Sequence, residues 1–184
     1  MSKQALILID IQNDYFPGGK WTLSGMEAAA DNAARLLAAF RKRGDLVIHV
    51  RHEDTSDDAA FFAAGSEGAE IHAKVAPKAD ETVVVKHHVN AFRETPLKEI
   101  LDRNGITAPV FCGAMSHMCV DAAVRAAGDF GYECTVVHDA CATRDLDFGD
   151  RNVAAADAHA AFMSALGFAY AKLSSTPDYL SEQG

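Results

Sequence analysis

Short apolar runs rich in Val and Ile alternate along the chain with Ala- and Leu-rich stretches of helical length. The runs Ala5–Asp10, Leu46–Arg51, Thr82–Lys86, Pro109–Cys112, Glu133–Val137 and Phe168–Leu173 are short and continuous, as strands buried on both faces must be. Between them, Met26–Arg43, Thr95–Asn104, His117–Phe130 and Arg151–Leu166 carry apolar residues at helical spacing, for example Leu36, Leu37 and Phe40 or Val120, Ala123, Val124 and Ala127. Gly44, Gly105, Gly131 and Gly167 follow these stretches, where helices commonly end. The alternation predicts an α/β fold, a three-layer αβα sandwich around a six-stranded parallel sheet, with residues 1–184 forming one domain. Glu53–Asp80, diluted by acidic, Ala and Gly residues, reads as a long excursion within it.

Composition narrows the partners. Hydrophobic residues make up 49% of the 184, enough for a core without staples, and 17 Lys plus Arg against 26 Asp plus Glu leave a net charge of −9. Such a surface repels phosphate backbones and anionic lipids, so neither nucleic acid nor membrane is an expected partner. The apolar run near the N-terminus is too short to span a bilayer and lacks the pattern of a signal peptide, which gives a cytoplasmic reading. Cys112, Cys119, Cys134 and Cys141 show no CxxC spacing, so no metal site, disulfide framework or cofactor is expected from them.

In an open parallel sheet, ligands bind beyond the carboxyl ends of the strands, and three such ends carry reactive groups. The first strand runs into Asp10, which by itself would serve equally as the cap of a turn. The third ends in Lys86, which alone would read as a surface lysine with a buried stem, but which can form a buried ion pair with Asp10. The fourth leads through Gly113 to Cys119 in the first turn of a helix, where amide groups and the helix dipole favour thiolate and can meet an oxyanion. An acid, a lysine and a helix-start cysteine on one sheet edge supply nucleophilic catalysis at a carbonyl. His49 and His52, three apart on a strand, point to opposite faces, so one packed and one exposed histidine is expected rather than a ligand pair.

Ile9-Asp10-Ile11-Gln12-Asn13-Asp14-Tyr15-Phe16, Lys86 with Asn90-Ala91-Phe92 and Thr95-Pro96-Leu97, and Gly113 through Cys119-Val120 together resemble the three motifs of the isochorismatase-like cysteine hydrolases, in order and over nearly the whole chain. That resemblance implies Cys119 as nucleophile, Asp10 as proton acceptor and Lys86 as their partner, on a sheet ordered 3-2-1-4-5-6. It also implies a cis peptide at Ala114-Met115, with the amides of Met115 and Cys119 facing the oxyanion. The Trp-His-Pro metal setting of nicotinamidases has no equivalent in His49-Val50-Arg51-His52-Glu53-Asp54. Members that cleave the vinyl ether of isochorismate lack the cysteine, so Cys119 favours hydrolysis of an amide, carbamoyl or ureido C–N bond through a thioester.

Two other classes compete with this reading. A nucleotide-cofactor protein would share the sheet, but no GxGxxG or GxxxxGK[ST] follows a strand. A non-enzymatic thiol sensor or interaction protein would not need Asp10 and Lys86 beside its cysteine. A small-molecule substrate is the expected partner, with Phe16, Trp21, Phe92 and His117 as candidates for the pocket rim. A homo-oligomer is expected, because the family commonly assembles and Asp121–Phe130 offers an alanine-rich face. Glu53–Asp80, poor in core-forming residues, is expected to reach a neighbour's site.

Overall fold

The computed structural model describes residues 2–183. Strand β1 (Gln4–Ile9) is buried from Ala5 onward because both of its faces are covered. Leu6 and Leu8 join the apolar cluster of helix α1 (Met26–Arg43), while Ala5, Ile7 and Ile9 join a second cluster on the opposite face. That second cluster takes in helices α2 (Leu97–Arg103), α3 (Asp121–Asp129) and α4 (Ala155–Ala169). Helix α5 (Thr176–Glu182) lies with α1, where the rings of Tyr179 and Phe40 stack 6.0 Å apart. A period of two along one strand thus produces three layers.

The remaining strands of the main sheet are β2 (Leu46–His52), β3 (Thr82–Lys86), β4 (Ala108–Ala114), β5 (Cys134–Ala142) and β8 (Ala171–Ser174). All neighbours run parallel, in the order β3-β2-β1-β4-β5-β8. Counting only these six strands gives the expected 3-2-1-4-5-6. Among the described residues no helix is long and apolar enough to cross a membrane.

The C-terminal third departs from the sequence reading. Residues from Arg151 were expected to start a helix, but Leu146–Phe148 (β6) and Arg151–Val153 (β7) form an antiparallel hairpin turned at Gly149. Helix α4 begins only at Ala155, whose N–H donates to the carboxylate of Asp145 at 2.8 Å, and it runs on to Ala169. Gly167 therefore lies inside the helix and not past its end. It packs against Leu173, whose Cδ1 would stand 2.9 Å from an added Cβ, and because the helix runs through Phe168 and Ala169 the last strand is Ala171–Ser174 and not Phe168–Leu173.

The Glu53–Asp80 excursion also differs from expectation, because it supplies core residues to its own chain. Phe62, Ala69 and Val75 are buried in the cluster of α1. Its backbone is tied to the segment after β1, with Asn13 N–H donating to Glu70 and His72 N–H to Ile11.

A partly buried ion cluster joins the middle of β2 to α1 and the segment before β3. Glu81 receives Arg41 at 2.6 Å and His49 Nε2 at 3.0 Å. The hydrogen bond from Arg41 holds the Glu81 carboxyl down at about 2 against the opposing effect of burial. His49 is held below the usual imidazole range by burial first. Because the folded-state pKa of Glu81 lies below its ordinary 4.5, its contribution is full above that value and disappears as the pH falls toward 2. Glu81→Gln is expected to cost on the order of 2 kcal/mol at pH 7 and to flatten the loss of stability between pH 4.5 and 2, read by urea unfolding across that range.

Candidate active site

Three strand ends meet on one edge of the sheet, where β1 and β4 approach more closely than a side chain at Gly113 would allow. Ile9 pairs with Gly113, and a Cβ on Gly113, which has φ +123°, would stand 2.0 Å from the Ile9 carbonyl oxygen. Directly after Ile9 the chain turns through Asp10 at φ 49°, a left-handed conformation that Asp tolerates better than most residues. The Asp10 N–H still donates to Val50 of β2 at 3.0 Å, so the carboxylate is set into the sheet edge rather than carried off on a loop.

Beyond Gly113 comes the Ala114-Met115 peptide, which is cis as the resemblance implied. The chain then enters a wide turn, Ser116–Val120, in which the Met115 carbonyl accepts from Met118 at 3.0 Å and from Val120 at 3.2 Å. Cys119 lies in this turn, just ahead of α3, with 6% of its surface exposed.

The ammonium of Lys86 is fully buried and stands at the centre. It lies 2.8 Å from Asp10 Oδ2, 3.3 Å from Cys119 Sγ, 2.7 Å from His52 Nδ1 and 3.2 Å from the His88 carbonyl. Three N–H groups thus serve four acceptors. Since an ammonium can only donate, His52 Nδ1 must accept, which places the imidazole proton on Nε2. Asp10, Cys119 and His52 also bring their donor atoms within 4.8 Å of one another, a spacing that suits a metal ion. Lys86 touches all three, so the ammonium occupies the place such an ion would take, and these residues do not fit a metal beside it.

Both carboxylate oxygens of Asp10 are buried without a well-directed hydrogen bond, although one of them contacts Lys86. Burial pushes the Cys119 thiol up to about 12, the Asp10 charge adds to this, and Lys86 opposes it. The helix-start position was expected to lower this thiol, but desolvation outweighs it. Burial pulls Lys86 down, but Asp10 and Cys119 more than offset it and leave it above the ordinary lysine value. Burial first, then Lys86, holds His52 below the usual imidazole range.

Residues 4–166 match the model of the isochorismatase domain family. The chain belongs to the isochorismatase family. It is 50% identical over 176 residues to the uncharacterized isochorismatase family protein YddQ of Bacillus subtilis, covering 96% of this chain and 98% of that one. It is 30% identical over 165 residues to maleamate amidohydrolase of Pseudomonas putida, covering 82% and 78%. An isochorismatase-type hydrolase of Oleispira antarctica, known from its crystal structure, superposes with a TM-score of 0.94 at 55% identity over 98% of this chain and 97% of that one. The isochorismatase family includes amidohydrolases that act on C–N bonds, and this chain is a hydrolase of that family.

Two residues of this isochorismatase-family site were missed in the sequence. His52 is half-buried against Lys86, not exposed, while His49 is the packed member of the pair. The signal was the parallel register, which sets His52 directly beside Lys86. Gln12, fully buried, clamps the same residue: its Oε1 accepts from the His52 N–H at 2.8 Å, and its Nε2 donates to the carbonyls of His52 at 2.8 Å and Ala69 at 2.7 Å.

The rim candidates are dispersed. Phe16 is buried and stacks on His72 with ring centroids 3.6 Å apart, and Phe92 packs edge-on to Phe130. Trp21 stacks on Phe61, which continues to Tyr15. His117 is tied through Nδ1 to the Thr143 hydroxyl at 2.6 Å.

The close contact of β1 with β4 has a direct test. Gly113→Ala is expected to cost more than about 3 kcal/mol, because backbone must move. Gly44→Ala, at φ 73° with open space around it, should cost only about 1 kcal/mol. Urea unfolding of the two variants checks the difference.

Proposed function

We propose that this protein hydrolyses a C–N bond of a small amide, carbamoyl or ureido substrate through a thioester on Cys119. The observation that carries the reading is the Lys86 ammonium, in contact with both the Asp10 carboxylate and the Cys119 sulfur inside a sealed edge of the sheet. As the sulfur attacks the carbonyl carbon, its proton passes to Asp10. The oxyanion is met by the amides of Met115 and Cys119. Collapse breaks the C–N bond while Asp10 returns the proton to the leaving nitrogen. Water then loses a proton to Asp10 as it attacks the thioester, and the departing sulfur regains that proton. Lys86 stays an ammonium throughout and stabilises whichever neighbour carries the negative charge. His52, fixed by Gln12, positions that ammonium. The need for a base fits a thiol raised to about 12, which is inert until its proton has an acceptor within reach.

Cys119→Ala is expected to lower ammonia release from a responsive small amide by at least about 10⁴-fold, and Asp10→Asn by about 10³-fold with the fold retained by circular dichroism. Normal turnover by Cys119→Ala would overturn the mechanism. Stoichiometric oxidation of Cys119 without turnover would instead favour a thiol sensor. His52→Ala should lower kcat roughly tenfold with little change in KM, as loss of positioning does.

The reading extends to a cytoplasmic homo-oligomer. Phe168 is 92% exposed on α4, and the same helix turns Ala160, Ala161 and Ala165 outward, a surface that another subunit would cover. Sedimentation at micromolar concentration should give a species larger than the 19.7 kDa chain, and a single species of that mass would reject the oligomer.

A further inference from the structure

Two consecutive side chains tie the turn of Cys119 to the rest of the chain. His117 is held through Nδ1 to the Thr143 hydroxyl, while Ser116, fully buried, meets the Ala142 carbonyl at 3.2 Å and His159 Nδ1 at 2.8 Å. The register of β4 with β5 explains the first two partners. Ala114 pairs with Ala142, so the end of β5 runs beside the entrance to the turn. His159 has a different origin, because it comes from α4, 43 positions further along the chain than Ser116.

His159 occupies a place where packing alone would put a hydrocarbon. It lies four residues before Met163 and seven before Leu166, on the helix face that joins the apolar cluster of Cys119 and Val120. Its ring is half-buried and also borders a cavity of about 450 Å³, lined in addition by His138, Cys141, Thr143 and Ala155. A shorter side chain there would widen an existing space and would not leave a sealed hole in the core.

The proton count fixes the direction of the bond. A serine hydroxyl has one proton and a carbonyl can only accept, so Ser116 donates to Ala142 and accepts from His159. Burial first, and then the nearby His138, hold His159 below the usual imidazole range, so the ring is neutral at pH 7 and carries its one proton on Nδ1. Without that donor the Ser116 oxygen would keep a buried lone pair with no partner.

We infer that His159 is a positioning residue of the hydrolytic site, which by donating to Ser116 fixes the turn that carries Cys119. The inference rests on the hydrolase reading of Asp10, Lys86 and Cys119 and adds to it a residue that touches none of the three. Within the turn, the Met118 and Val120 N–H groups both close on the Met115 carbonyl, so Cys119 lies inside a loop that is braced internally and would move as a unit. Ser116 is the buried peg of that unit. A shift of about 1 Å in a reacting group can cost about 10²-fold in rate, which makes the peg matter for the sulfur.

Ammonia release from acetamide, benzamide and methylurea identifies the compound that the wild-type protein turns over fastest, and that compound serves for all variants. Hydrogen–deuterium exchange of the peptide covering Met115–Val120 gives a second readout that needs no turnover. His159→Ala and His159→Gln should each lower kcat about 10- to 30-fold with KM changed less than about threefold, and should speed exchange in the turn. His159→Asn places an amide N–H where Nδ1–H stands, so it should keep kcat within about threefold of wild type and leave the exchange unchanged. Ser116→Ala should lower kcat as His159→Ala does, and combining the two should cost nothing further. A kcat for His159→Asn as low as that of His159→Ala would overturn the proposal. So would full additivity of Ser116→Ala with His159→Ala, or a fall in kcat with exchange in the turn unaltered. If the wild type acts on none of these compounds while exchange in the turn still follows the variants as stated, the positioning by His159 holds and the hydrolase reading fails.

Discussion

An ammonium sealed inside a protein must find, in the protein, what water would otherwise give it. Lys86 does so with a carboxylate, an imidazole nitrogen, a backbone carbonyl and a thiol, none of which lies on its own strand. Removing two opposite charges from water costs several kcal/mol per ion, and a buried pair often recovers little more than that. The arrangement is therefore a poor way to stabilise a sheet and a sound way to prepare a reaction. Everything around it serves to keep it dry and fixed: the short contact of Ile9 with Gly113, the left-handed turn at Asp10, and the clamp of Gln12 on His52.

The layering and the strand order were legible because they follow from elementary patterns. Five consecutive apolar residues running into Asp10 describe a central strand whose end must face something polar, and Thr82–Lys86, at the edge of the same sheet, likewise ends in a charge. Strand ends that carry an acid, a lysine and a cysteine meet by topology, without any knowledge of side-chain positions. What the pattern concealed was packing. Gly167 reads as a helix terminator, but it lies in the last turn of the helix, where its missing side chain makes room for Leu173. Phe62 and Val75 are too far apart, in too polar a stretch, to announce themselves as core, yet each is 1% exposed. His52 shows the same limit, since its role depends on a neighbour 34 positions away that only the register supplies. The direction of the Cys119 shift was hidden for a related reason: a helix start is visible in sequence, while the desolvation that outweighs it is not.

The buried acid, lysine and cysteine and the aromatic cluster around Trp21 belong to different parts of the chain. Asp10, Lys86 and Cys119 come from strand ends and a turn beside the sheet. Trp21 and Arg144 come from connecting segments, bridged to each other by the Ser24 and Thr143 backbones.

Those connections are not independent of one another. The buried Asp14 carboxylate accepts from the Phe62 N–H at 2.7 Å and from the Lys20 N–H at 3.1 Å, and it leaves so little space that a side chain on Gly68 would fall within 2.4 Å of its Cγ. A single side chain thus fastens the segment around Lys20 to two separate points of the long excursion. Lengthening or shortening either segment would pull on the other through this carboxylate. In evolutionary terms the two segments form one heritable unit, in which each change must leave Asp14 its two donors and its glycine.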